Sequence, residues 1–389
     1  MIPYSRQHIT DDDINAVVAV LKSDFLTQGP CVSQFEQSIV DHCDVPFAVA
    51  TTNATSALHT ACLVLNINER DLVWVSAVSF VASANCARYC GASIDFVDID
   101  PATGLLCLNA LKNKLKLAAE EDRLPSALVV VHLAGQSCDM QKIAELCAPY
   151  AIRIIEDASH ALGASYQNVP VGSCSYSDFT VFSFHPVKPI TSAEGGMLTT
   201  KNPEFARLAR LYVSHGVVRD SQLLDNTAQP GWYYEQQVLG YNFRLSDLHA
   251  ALGVSQMMRL KERTQERAQW ADYLDKGLGD LPLKPLSCLS YGTSSHHLYI
   301  VRVATQQLRD RLYQALKQNG FGVNLHYIPI FLHPYYQQQG PERQGYELAA
   351  FPGAMHYYET ALSLPLFAGI KKEVLDAVLA TIKKVCADA

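Results

Sequence analysis

Seven short, mainly apolar runs recur through the first 200 residues, at 47–50, 72–75, 93–97, 127–132, 152–155, 179–184 and 196–200. They are too short for self-contained helices and too continuous for strands with one wet face. Runs of this kind suit strands covered on both sides, the condition of a mostly parallel sheet. Between them lie amphipathic or alanine-rich stretches with helical spacing at 55–65, 80–90, 109–117 and 140–148. Strand and helix in alternation predict a doubly wound α/β fold, whose ligands sit at the carboxyl ends of the strands.

Helical sequence then dominates at 203–212 and 246–278, and a proline-rich segment follows at 281–285. Beyond it the patterning predicts strands at 297–303 and 321–326 and helices at 308–318 and 371–387. This divides the chain near residue 255, inside the long helix. A large α/β unit spans 1–255 and a smaller C-terminal α+β unit spans 256–389. With 389 residues, 49% of them hydrophobic, the chain can bury one large core and a lesser one.

A net charge of −7, with no basic patch threaded by aromatics, excludes a nucleic-acid binder. The N-terminal residues have no signal-peptide core, and no stretch approaches the roughly 20 apolar residues of a membrane span. Eleven cysteines are scattered without metal-type pairing. Cys86 and Cys90 stand four apart on a predicted helix, but no second pair in the sequence answers them. Reduced, mostly buried thiols in a cytoplasmic protein are expected. The thirteen histidines show no zinc spacing, and the adjacent His296 and His297 diverge if they lie on a strand. No metal is expected.

The chemistry centres on Lys188, in the run SFHPVKPIT at 183–191, followed by AEGG at 193–196. A lysine just past a buried strand is either snorkelling to water or held there as an amine nucleophile. Burial lowers its pKa, and such an amine condenses with carbonyls to a Schiff base, the link that anchors pyridoxal phosphate. At the end of another strand stands EDASHALG at 156–163. Asp157 is a candidate anion for the cofactor's ring nitrogen, or simply a helix cap; its neighbour Glu156 points to the opposite face of the strand.

Thr51, Thr52, Asn53, Ala54, Thr55 and Ser56 lead from a strand into a helix and offer hydroxyls and free N–H groups to a phosphate. Without glycines they match neither a Walker loop nor a dinucleotide fingerprint, and as a group they are equally ordinary caps. Ser183 can add a hydroxyl. Phe80 can stack on a flat ring or be plain core. His185 can be a base or a cap, and His326 and Tyr327 can point in from the smaller unit. Ser183 and Lys188 lack the spacing of a serine–lysine acylase.

In this order the pieces resemble one family. Residues 53–57, 80–85, 157–163 and 183–188, with LTQG at 26–29, SHG at 214–216, GYNFRLSD at 240–247, AALG at 250–253, HYIPI at 326–330 and SLPL at 363–366, are similar to the sugar aminotransferases of the DegT/DnrJ/EryC1/StrS type. The likeness spans nearly the whole chain. It implies an aspartate-aminotransferase-like fold, pyridoxal 5′-phosphate with pyridoxamine phosphate as its other form, and a homodimer with shared active sites. By position it implies Lys188 in the Schiff base and Asp157 at the ring nitrogen. It likewise places Phe80 on the ring, His160 near its hydroxyl edge, and Ala54, Thr55 and Ser183 at the phosphate, with Asn242 reaching across from the partner subunit. Tyr4, Leu26, His326 and Tyr327 are implied at the substrate.

Family members that dehydrate carry histidine in place of the lysine, so Lys188 implies transamination. Residues 166–168 and 188–196 add a likeness to members acting in pseudaminic acid biosynthesis. These move the amino group of L-glutamate to C4 of a UDP-linked 4-keto-6-deoxy-N-acetylhexosamine. Pro186 departs from the family pattern and stiffens the lysine's loop. The alternatives are a 4-aminotransferase of the UDP-bacillosamine or dTDP-amino-sugar routes, a non-catalytic nucleotide-sugar-binding regulator, a cofactor-free Schiff-base aldolase, and a dehydratase.

Overall fold

A computed structural model describes residues 1–225, 229–279, 281–339 and 345–387. Seven strands make the central sheet: β1 (Phe47–Thr51), β2 (Leu72–Ser76), β3 (Ser93–Val97), β4 (Ala127–Val131), β5 (Arg153–Asp157), β6 (Phe179–Ser183) and β7 (Gly196–Thr200). Their order is β1-β7-β6-β5-β4-β2-β3, and β7 alone runs opposite to the other six. Each apolar run becomes a strand because helices cover both faces. Val129, Val130, Ile155, Phe179 and Val181 are wholly buried at its centre. Each such side chain contributes about 1.5–3 kcal/mol by leaving water.

The reversal of β7 positions the site. Thr51 on β1 and Ser183 on β6 both pair with Gly196, the first residue of β7. Two strand ends and one strand start therefore meet in a single row, beside the helix Ala54–Val64. A Cβ on Gly196 would lie 2.4 Å from the Asn53 carbonyl and 2.6 Å from Ala54 N, so only glycine lets the strand approach that helix start. Val131, Asp157 and Val181 form the parallel row alongside.

Three features depart from the expectation. The stretch 246–278 is two helices, Asp247–Met257 and Leu260–Leu278, not one. At their junction the buried Asp13 accepts hydrogen bonds from Ser255 at 2.6 Å, Gln256 at 2.7 Å and Arg259 at 2.5 Å. Asp13 belongs to the helix Asp11–Leu21, which with Pro30–Cys43 fills a region for which the sequence suggested no elements. The stretch 321–326 is not a strand: it makes only single bridges, Phe321 with Ile2 and Asn324 with Ser363.

A second core gathers Leu274, Val301, Leu312, Leu316, Leu375 and Ile382. It lies under the antiparallel strands β8 (Leu283–Pro285), β9 (Tyr299–Val303) and β10 (Ala361–Leu364) and the helices Gln306–Gln318 and Lys372–Ala387. Phe331, Tyr336, Tyr346 and Phe351 instead pack around Phe96 of the main sheet. We propose a two-unit division near residue 255, with this aromatic segment strapping the second unit to the first. Among the described residues no helix is long and apolar enough to cross a membrane.

Candidate active site

At the carboxyl end of the main sheet lies a cavity of about 740 Å³. Tyr4, Ala54, Thr55, Phe80, Asp157, His160, Ser183, Lys188, His326 and Tyr327 all line it. Leu26 and Asn242 do not; both are exposed on the single chain.

The half-buried Lys188 follows β6 on a loop that the chain ties down. Its N–H donates to the His185 carbonyl at 2.9 Å, Thr191 Oγ1 donates to Phe184 O at 2.8 Å, and Ser5 Oγ donates to Val187 O at 2.9 Å. Burial pushes the amine down to about 8, partly offset by the attraction of Asp157. That is the direction an amine nucleophile requires.

Asp157 and Glu156 part as neighbours on a strand must. Asp157 faces the cavity, where Oδ2 accepts from Ser83 Oγ at 2.5 Å and Oδ1 from the Ser159 N–H at 3.1 Å. It thus tightens a turn and also faces open volume. Glu156 is buried behind the sheet against His132 Nε2 at 2.6 Å. The Cys138 N–H donates to His132 Nδ1 at 3.1 Å, so Nε2 carries the proton given to Glu156. Burial opposes the Glu156 carboxylate, yet hydrogen bonds from His132, Ser177 and Thr180 hold it below its ordinary range.

The opposite wall is aromatic. The Ala134 N–H donates to His160 Nδ1 at 3.3 Å, which leaves the proton on Nε2, 3.1 Å from the Tyr327 hydroxyl. Burial, Lys188 and His326 push the His160 imidazole well below its usual range. Burial and Lys188 likewise push His326 down to about 4. Both rings are therefore neutral beside the amine. Phe80, 57% exposed at the cavity, is not a core residue. Its ring centre lies 6.1 Å from that of Tyr327, with the two rings tilted.

At the helix Ala54–Val64, Asn53 Oδ1 accepts from the Ser56 N–H at 2.8 Å. The N–H groups of Ala54 and Thr55 find no partner among the described hydrogen bonds, and both residues line the cavity, so this helix start can receive an anion. His185 is exposed and its Nδ1 accepts the Val187 N–H at 3.5 Å, the turn-capping alternative. Sequence reasoning missed Ser83 as a partner of Asp157, since 74 residues separate them. It also missed His297, fully buried with its ring 4.5 Å from that of His160. Nothing in the local pattern marks either residue.

An amine of lowered pKa, a carboxylate, a ring-sized aromatic and a free helix N-terminus around one cavity are the complement of a phosphorylated, cationic heteroaromatic aldehyde. Residues 7–383 match the DegT/DnrJ/EryC1/StrS aminotransferase family, and the chain belongs to it. It is therefore a pyridoxal-phosphate-dependent sugar aminotransferase with the fold of that family. It is 33% identical over 394 residues to the UDP-4-amino-4,6-dideoxy-N-acetyl-beta-L-altrosamine transaminase of Campylobacter jejuni subsp. jejuni serotype O:2, covering 99% of each chain. Its fold matches Helicobacter pylori PseC, an aminotransferase involved in the biosynthesis of pseudaminic acid, with a TM-score of 0.88 and 31% identity over 100% of both chains. The PMP form of Spr1654 from Streptococcus pneumoniae matches with a TM-score of 0.89 and 28% identity, again over 100% of both chains.

Proposed function

We propose that the chain moves the amino group of L-glutamate to C4 of a UDP-linked 4-keto-6-deoxy-N-acetylhexosamine, giving UDP-4-amino-4,6-dideoxy-N-acetyl-L-altrosamine for pseudaminic acid. The reaction class rests on one observation above all, the convergence of Lys188, Asp157 and the helix start at Ala54 on a single cavity. Full-length likeness to the Campylobacter transaminase supports the choice of sugar.

Lys188 would hold the cofactor's aldehyde carbon, Asp157 its ring nitrogen, and Ala54, Thr55 and Ser183 its phosphate. Phe80 would cover one ring face and His160 would stand at the hydroxyl edge. When bound, pyridoxal phosphate stores the amino group between donor and acceptor and withdraws electrons from the reacting carbon. Lys188 Nζ takes the proton from the glutamate α-carbon and later delivers one to sugar C4. A neutral His160 and His326 leave that amine able to accept the proton, and Asp157 faces the same cavity. Tyr4, His326 and Tyr327 line the side open to the sugar. Because the amino group stays with the enzyme after the first product leaves, the kinetics are ping-pong.

We further propose a homodimer in which Asn242 and Leu26 reach the partner's site. The support is a groove of about 730 Å³ beside the helix Asp247–Met257, flanked by Phe25 and Met258, which are 54% and 83% exposed. Monomers rarely leave such apolar area uncovered. Light scattering should give twice the chain mass, and Met258→Glu should shift it toward the monomer.

The deciding assay supplies glutamate with a panel of UDP- and dTDP-linked 4-keto sugars and reads the products by NMR. Preference for the UDP-linked N-acetyl sugar with amination to the L-altro product supports the proposal. Preference for a dTDP sugar, or for the bacillosamine configuration, overturns the substrate while leaving the reaction class intact.

A further inference from the structure

Ser79 and Ser83 flank Phe80 where the chain enters the helix Ala82–Tyr89, and neither hydroxyl is used as serines at a helix start usually are. The ordinary use is to cap the free backbone N–H groups. This helix starts from Val81 with no side-chain hydrogen bond to those groups. Instead the two serines bond to each other, Oγ to Oγ at 2.6 Å, and Ser83 Oγ reaches Asp157 Oδ2 at 2.5 Å. All three residues are buried, and Ser79 and Asp157 line the cavity.

The direction of this chain follows from its end. An ionised carboxylate can only accept, so Ser83 spends its single proton on Asp157 and must itself accept from Ser79. Two hydroxyl dipoles aligned in one sense reinforce each other, the more so where water is shut out. The other carboxylate oxygen accepts from the Ser159 N–H at 3.1 Å. Among the described residues each oxygen of Asp157 thus has one protein donor, and the two donors come from different parts of the fold. Such a pair fixes the plane of the carboxylate.

We propose that Ser83, backed by Ser79, is a positioning residue that aims Asp157 at the ring nitrogen of pyridoxal phosphate and keeps the proton on that nitrogen. The inference rests on the reaction class read from the cavity. A hydroxyl bonds more strongly to a carboxylate than to a neutral carboxylic acid. The serine chain therefore favours the pairing of charged ring with charged Asp157 over the neutral pairing. The same turn carries Phe80, whose carbonyl accepts the Ser83 N–H at 3.2 Å. One short stretch of chain would thus both cover the ring and orient its anion. Tyr336, from the aromatic segment that packs on the main sheet, holds this helix by donating to Asn85 Oδ1.

The test reconstitutes the wild type and its variants with pyridoxal phosphate carrying nitrogen-15 in the ring. Solid-state NMR reads the protonation of that nitrogen, beside cofactor affinity and thermal unfolding. The wild type should show a protonated ring nitrogen, and Asp157→Asn should move the signal to the unprotonated position. Ser83→Ala should move it part of the way in the same direction. Cofactor affinity should fall about 10-fold, as expected for one lost hydrogen bond to a charged group. Ser79→Ala should produce a smaller shift of the same sign, and Ser83→Thr, which keeps the hydroxyl, should restore the wild-type signal. A hydroxyl that served only the fold would lower the unfolding temperature in Ser83→Ala and leave the nitrogen signal unmoved, and that result overturns the proposal. Should Ser83→Ala not fold, Ser79→Ala decides, since an unmoved signal there overturns it equally. A wild-type ring nitrogen that is unprotonated, or a signal that Asp157→Asn does not move, would instead overturn the placement of Asp157 on which the proposal rests.

Discussion

Strand β5 ends in two adjacent carboxylates with opposite surroundings. Asp157 faces a cavity and, among the described residues, accepts hydrogen bonds only from Ser83 and one backbone N–H, so part of its charge is left for something else to meet. Glu156 faces the packed side and is held by His132, Ser177 and Thr180. A buried carboxylate tied to a neighbouring imidazole away from the cavity is structural, while one that faces the cavity beside an amine is poised for a ligand. The strand's twofold periodicity alone creates the division.

The comparison can be broken by mutation, and the largest effect belongs to the cavity side. Lys188→Ala should cost about 10³-fold or more in turnover, because both proton transfers lose their carrier, and borohydride should trap no cofactor on the protein. Retention of both activity and trapped cofactor would remove Lys188 from the site. Asp157→Asn keeps the shape but not the charge, and should lower turnover by about 10²-fold with stability nearly unchanged. Thermal unfolding beside single-turnover kinetics separates the two effects.

Glu156→Gln should behave in the opposite way. Breaking a buried pair costs about 3–5 kcal/mol, read as a lower urea midpoint, while turnover per folded molecule stays near wild type. The sign with pH follows from its lowered carboxylate. Glu156 contributes its full stability above the ordinary carboxylate range and loses it as pH falls through the folded value. The variant should therefore lose the Glu156-linked part of the acid-side pH dependence of stability. If Glu156→Gln abolished turnover while Asp157→Asn unfolded the protein, the assignment of the two faces would be reversed.

Smaller effects sharpen the cavity side. An amine near 8 is largely protonated at pH 6 and free at pH 9. Cofactor attachment to the apo protein, followed by absorbance, should accelerate about tenfold per pH unit up to about 8 and then level off. A rise continuing toward pH 10 would mean that burial does not activate Lys188. Phe80→Ala should weaken cofactor affinity by about 3- to 10-fold, the worth of one stacking contact, with little change in turnover once the site is saturated.

Local periodicity carried much of the fold. The seven apolar runs and the intervening helices are set by which residues avoid water at spacings of two and 3.6, and all seven strands formed where those runs lie. The placement of Lys188 and Asp157 after strands was legible for the same reason. The break at Met258–Arg259 was not, because it depends on Asp13, more than 240 residues away in sequence. Nor were the two N-terminal helices, which pack against the helix Asp247–Met257 and are held by it.

By itself, then, the sequence determined a layered α/β protein and a set of residues fit for amine and phosphate chemistry, since those depend on neighbours along the chain. Only the tertiary structure decided which residues meet, as Asp157 does with Ser83 and His160 with Tyr327. Chain folding brings such partners together across separations that no local pattern encodes, and burial then changes what each of them can do.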